Sequence, residues 1–162
     1  MITKVRRWKM VVVGTVGALV VSGLGASAIA SATPGWGTER TPTASGVLDG
    51  RLKAKSDGVE LKTRGDVKVD ALVLTYHPGG FSGWHEHPGI VIATVIKGSV
   101  ARKLGCGRAE TFTEGQSFTE VGRHYVSNPS AKEDAVLSIT QIYPADFVGV
   151  PRIDLPAPIC RS

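Results

Sequence analysis

The first 38 residues contain no acidic side chain, and cysteine appears only twice in the 162-residue chain. No stretch after Gly46 has the period of a long amphipathic helix, and there is no internal repeat of the helical-solenoid kind. Beyond residue 32 no cluster of Lys and Arg with interleaved aromatics occurs, which excludes nucleic acid as a partner. No Ser stands in a nucleophile-elbow context, so nothing resembles a Ser–His–Asp hydrolase. What is present is a 42% hydrophobic composition, enough for a packed core and incompatible with a wholly disordered chain. The length suits one domain plus an appendage.

The appendage is the N-terminus. Lys4, Arg6, Arg7 and Lys9 precede an almost purely apolar run from Met10 to Leu24, and small residues follow in GASAIASATPGWG. Basic, apolar and small in that order reads as a secretory signal peptide over residues 1–32, cut after Ala30-Ser31-Ala32. The Arg6-Arg7 pair gives only a weak hint of a twin-arginine route. The competing reading is an uncleaved anchor, since Met10 to Thr38 is uncharged and long enough to span a bilayer. The chain touches a membrane only in that case, and either way the rest lies outside the cytoplasm. Removing residues 1–32 takes the net charge from +5 to +1, with 15 basic and 14 acidic residues left. The basic balance therefore belongs mostly to the export signal.

Residues 33–45, rich in Gly, Pro, Thr and Ser, read as a flexible lead-in. Residues 46–149 read as β structure. Short alternating or β-branched runs recur at Gly58–Thr63, Val67–Thr75, Ile90–Ile96, Ser99–Leu104, Glu110–Thr113, Ser117–Val121, Tyr125–Asn128 and Ala135–Tyr143. The apolar run IVIATVI suits a buried strand. Many short strands punctuated by Gly and Pro predict an all-β sandwich or barrel. The tail, residues 150–162, holds three prolines between Val150 and Cys160 and reads as an extended strap on the domain.

His85 and His87 are two apart, which on a strand puts both imidazoles on one face. Such a pair can reach one metal ion, and a returning strand can bring His124 alongside. His77 stands alone before Pro78-Gly79-Gly80 and reads as structural or pocket-lining. Glu86 points away from its flanking histidines. Glu120, four residues before His124, is either an acid supporting the site or a solvated turn residue. Trp84 and Phe81 are candidates for the pocket mouth, with packing beneath the loop as the alternative.

These residues resemble the cupin superfamily. Its first motif, G-x5-H-x-H-x3-E-x6-G, is matched by Gly79, His85, His87 and Gly98, with Val91 where the Glu is usual. Its second, G-x5-P-x-G-x2-H-x3-N, is matched by His124 and Asn128; Gly115 and Gly122 lie closer to the His than the pattern asks, and the Pro is absent. The resemblance implies a single double-stranded β-helix, or jelly-roll barrel, with the site inside its mouth. It implies His85, His87 and His124 as ligands of a divalent ion (Fe, Mn, Zn or Ni), no carboxylate from Val91, and pairing of two barrels into a homodimer. Three imidazoles leave coordination positions for water or a small molecule. The function expected is that of an exported metal-binding cupin. Either it is an enzyme such as a dioxygenase or isomerase, with Glu120 and His77 as the candidate acid–base groups, or it is a non-catalytic module that binds or senses a small ligand.

In an exported chain the two cysteines predict a Cys106–Cys160 disulfide, with free thiols or thiolate ligands as the alternative. It would close a loop of 54 residues, strap the tail to the barrel, and contribute on the order of 3–4 kcal/mol.

Overall fold

A computed structural model describes residues 32–160, so the expected export signal lies outside the described residues except for Ala32. Twelve strands follow: β1 (Trp36–Leu48), β2 (Lys53–Ser56), β3 (Val59–Lys62), β4 (Val67–Phe81), β5 (His85–Glu86), β6 (Ile90–Lys97), β7 (Ser99–Leu104), β8 (Ala109–Thr113), β9 (Ser117–Glu120), β10 (His124–Ser127), β11 (Ala135–Pro144) and β12 (Ile153–Asp154). There is no helix among the described residues, and hence none long and apolar enough to cross a membrane.

β4 is the spine. It pairs antiparallel with β1 along one edge and β11 along the other, and β6 and then β9 extend the sheet beyond β11. The opposing set runs β12, β5, β10, β7, β8. The far end of β4 joins the two sets where Phe81 meets Ser127 of β10. The result is a nearly closed antiparallel barrel, the all-β double-stranded β-helix that the strand pattern predicts. β2 and β3 form a separate hairpin whose tip, Asp57-Gly58, has positive φ at both residues, the geometry of a two-residue hairpin turn.

Alternation along the strands fills the interior. Leu72 and Tyr76 of β4, Val91, Ala93 and Val95 of β6, Phe118 of β9, and Leu137 and Ile139 of β11 are all buried in one cluster. Between β6 and β7, Gly98 turns the chain at φ 74°, and a Cβ there would sit 2.9 Å from the Asp134 carbonyl. Asn128 fixes the β10–β11 connection: its Nδ2 donates to the Tyr76 and Glu133 carbonyls at 3.0 and 2.7 Å, and its Oδ1 accepts from Ser130 N at 2.9 Å. This is the turn-fixing role expected of a second-motif Asn.

Two expectations are corrected. The lead-in over 33–45 is not a flexible arm. Most of it belongs to β1, paired with β4 from Trp36–Phe81 to Leu48–Val67, so the barrel starts at residue 36 and not at 46. Composition misled here, because a Thr- and Ser-rich segment needs only a neighbouring edge to become a strand. β6 is also not buried on both faces: Ile90, Ile92 and Ile96 are 47%, 42% and 47% exposed on its outer side. The tail runs extended against β5. β12 pairs with β5, Leu155 N donates to the Trp84 carbonyl at 2.8 Å, and Cys160 is disulfide-bonded to Cys106.

Candidate metal centre

The site forms where the short strand β5 meets β10. His85 and His124 are direct antiparallel partners, so their side chains leave the same face of the sheet. His87 lies just beyond β5, and the three rings converge with centroids 4.1, 4.9 and 5.2 Å apart. His85 and His124 are buried, and the His87 side chain is nearly so.

Each ring is anchored in the same way. The Nδ1 of His85 lies 3.0 Å from the Gly83 carbonyl, that of His87 2.7 Å from the Pro151 carbonyl, and that of His124 2.7 Å from the Gly122 carbonyl. A carbonyl only accepts, so every Nδ1 carries its proton and donates. In the neutral ring this leaves each Nε2 as the lone pair, the arrangement a metal ligand requires. Gly83 makes the first anchor possible. It sits at φ 68°, and a Cβ on it would collide with the Thr33 carbonyl.

Glu120, the last residue of β9, completes the group. Its Oε2 is 3.3 Å from His87 Nε2 and 3.4 Å from His124 Nε2. One ligand atom from each of His85, His87, Glu120 and His124 lies within 4.8 Å of the others. The backbone register explains how a carboxylate arrives there. In the β6–β9 ladder Glu120 is the partner of Val91, the position where the first motif would carry its Glu. The acid has moved one strand sideways along the same inward rung. Gln141 of β11 occupies the other side of that rung, also opposite Val91.

The electrostatics follow from burial and proximity. Desolvation, reinforced by His124 and Arg152, pushes the His85 imidazole down to about 3. Burial pushes the Glu120 carboxyl up, but the proximity of the His124 and His87 rings outweighs it and holds the acid below the usual carboxylate range. Neutral imidazoles and one carboxylate are the protonation states in which these groups bind a cation. The Nε2 atoms of His87 and His124 are buried without a hydrogen-bond partner in the protein. Orphaned buried acceptors are costly, and a divalent ion satisfies them. Three nitrogens and one oxygen suit iron, manganese, zinc or nickel.

A cavity of about 250 Å³ opens beside the cluster, lined on one side by Leu72, Leu74 and Ile139. It has room for about eight water molecules' worth of ligand.

The sequence-derived candidates divide cleanly. His85, His87 and His124 come together. Glu120 joins them inside the donor cluster, neither a solvated turn residue nor an outer acid. Glu86 stays outside the cluster. His77 is exposed, bonds Asp134 at 3.0 Å and does not line the cavity. Phe81 and Trp84 do not line the cavity either. Both pack on Tyr125, at 5.8 and 5.6 Å between centroids, beneath the loop.

A barrel of this topology, with His85 facing His124 on the partner strand and His87 just beyond, has the form that the cupin resemblance implies. The fold is an antiparallel double-stranded β-helix. No family model and no curated protein matches it. Among solved structures it is similar to an oxalate oxidase (19% identity over 57% of this chain and 52% of that one, TM-score 0.45). It is also similar to a cupin-like protein of Thermotoga maritima (20% identity, 57% and 78%, TM-score 0.45) and a cupin domain of Bordetella pertussis (24%, 59% and 96%, TM-score 0.41). The matched part spans only 40–52% of the oxalate oxidase chains.

Several cavity residues escaped the sequence reading: Arg40, Tyr76, Gln141 and Arg152. Gln141 did leave a signal, since it falls on the inward positions of Ala135, Leu137, Ile139 and Tyr143 and is the one polar member of that set. Arg40 left none, because its segment was read as a lead-in.

Proposed function

We propose that this chain is an exported cupin that holds a divalent metal ion through His85, His87, Glu120 and His124 and takes a small molecule into the adjoining cavity. The observation that carries the reading is the convergence of four donor atoms, three of them imidazole nitrogens whose opposite Nδ1–H groups are tied to backbone carbonyls. The ion, when bound, supplies Lewis acidity and open coordination positions. The chain's own residues do the rest. The carbonyls of Gly83, Pro151 and Gly122 hold the rings in register. Leu72, Leu74 and Ile139 exclude water from one wall. Burial first, and Glu120 next, push the Tyr76 phenol well above its ordinary range. It therefore stays protonated at neutral pH and offers a hydrogen-bond donor to whatever occupies the cavity.

The test is elemental analysis of the protein beginning at Thr33, after supplementation with iron, manganese, zinc and nickel, beside the His85→Ala/His124→Ala double variant. About one metal per chain, lost in the variant, is expected. A metal-free wild type overturns the proposal. An oxygen-consumption and turnover screen on the loaded protein then separates an enzyme from a protein that only holds its ligand. The intact mass of the secreted form reads the cleavage after Ala32.

A further inference from the structure

The cavity wall across from the metal donors carries a charge that the donors do not use. Arg40 projects from β1, where it pairs with Leu74 of β4, and it lines the cavity. Among the described residues no carboxylate lies within ion-pair distance of it. Its one hydrogen bond is from Nη2 to Gln141 Oε1, at 3.4 Å. Arg40 acts on Asp70, on the same sheet, only through space: the Asp70 oxygens are engaged by Ser45 Oγ at 2.6 Å and Tyr143 Oη at 2.5 Å, with Lys68 Nζ at 3.9 Å. The other cavity guanidinium, Arg152 of the strap, is compensated: its Nε donates to Asp154 at 2.6 Å and its Nη2 to the Ser82 carbonyl. Gln141 lies between the two halves of the cavity. Its Oε1 faces Arg40, and its Nε2 is 3.5 Å from His87 Nδ1. The guanidinium, exposed and without an ion-pair partner, is thus one side-chain amide away from the histidine cluster.

We infer that the cavity selects small carboxylate anions, with the acid group held by Arg40 beside Gln141 and the rest of the molecule against Leu72, Leu74 and Ile139, facing the metal donors. A guanidinium is planar and forked and matches a carboxylate in two parallel hydrogen bonds. One exposed guanidinium lining the cavity, with no ion-pair partner, suits one negative charge on the ligand. The apolar wall calls for a short hydrocarbon body, and the volume limits its length. A phosphate dianion fits less well, because Arg152 is already neutralised by Asp154. This inference rests on the metal-centre reading for the far end of the ligand, but the acid-binding end rests on Arg40 alone.

The experiment measures binding of acetate, propanoate and succinate, their methyl esters, and inorganic phosphate, by calorimetry on the manganese-loaded protein. Wild type, Arg40→Met and Arg40→Lys are compared, with metal content determined on the same samples. At least one of the acids is expected to bind at least tenfold more tightly than its ester and than phosphate. Arg40→Met should erase that preference without changing metal content, and Arg40→Lys should keep part of it. Acids and esters binding alike, phosphate binding most tightly, or an unchanged preference in Arg40→Met overturns the inference. Should the wild type carry no metal, the metal-centre reading fails. The same panel on the metal-free protein then decides the role of Arg40 separately.

Discussion

The sideways placement of the carboxylate can be tested by moving it back. Val91 and Glu120 are direct partners across β6 and β9, 1% and 5% exposed, with side chains on the same inner face. Cβ atoms of such a pair lie about 5 Å apart, a gap that the two methylenes of a Glu can span. Glu120→Val removes the one anionic donor facing the cluster. Truncating one member of a buried charged contact costs about 2–5 kcal/mol, so metal affinity should fall at least about 30-fold. The exchange variant Val91→Glu/Glu120→Val conserves composition, volume and charge. It restores a carboxylate to the same rung from the neighbouring strand, and affinity should return to within about tenfold of wild type. Competition against a chromophoric chelator gives the affinities, and circular dichroism with thermal melting confirms that each variant is folded. The reasoning is refuted if folded Glu120→Val binds metal as tightly as wild type, since Glu120 would then be no ligand. It is equally refuted if the folded exchange variant stays as weak as the single one, since the rung would then not decide where the donor must stand.

Further outcomes follow from other parts of the molecule. Cys160→Ser opens a loop of 54 residues and should lower unfolding free energy by about 4 kcal/mol in urea titrations; an unchanged midpoint would show that the bridge does not constrain the chain. Because the Pro151 carbonyl on the same strap orients His87, that variant should also bind metal more weakly. Gly83→Ala should cost about 1–3 kcal/mol for its backbone conformation alone, with metal lost alongside, and normal loading in a folded variant would contradict the anchor assigned to it. Tyr143 is pushed up to about 12 by burial and by its bond to Asp70, from 10.0. The folded chain then keeps the phenolic proton after the unfolded chain has lost it, so stability present below pH 10 is lost as pH rises from 10 to about 12. The loss is on the order of 2 kcal/mol and should be absent in Tyr143→Phe when denaturation is followed at pH 9 and 11.5.

The strands were legible where side chains alternate against a buried face, as in β4, β9 and β11. β1, β2, β5 and β12 were not, because their reason for being strands is the neighbour they pair with. β5 is two residues long and exists through His124 and the strap. The three histidines were legible from spacing, since the i, i+2 rule and a returning strand suffice to bring them together. Glu120 was visible as a polar residue two positions after the buried Phe118 on the same face. Its role was hidden because ladder register across β6 and β9 is a property of two segments nearly thirty residues apart. Arg40 was illegible for the same reason, since nothing local shows that its Thr-rich segment lies over Leu74. Trp84 and Phe81 misled, because an aromatic beside a ligand pair packs under the loop as readily as it faces the opening.

All three imidazoles are oriented by main-chain carbonyls, those of Gly83, Gly122 and Pro151, and none by a carboxylate at Nδ1. In many metal sites the outer partner of a ligating His is a carboxylate, and exchanging that residue retunes the ion. Here there is no such residue to exchange. A point substitution in the outer layer cannot change the basicity of a ring without displacing backbone. The centre is thereby insulated from mutational drift, while the cavity walls, built from side chains on β1, β4, β11 and the strap, remain free to vary. Diversification in this architecture should change what is bound long before it changes how the ion is held.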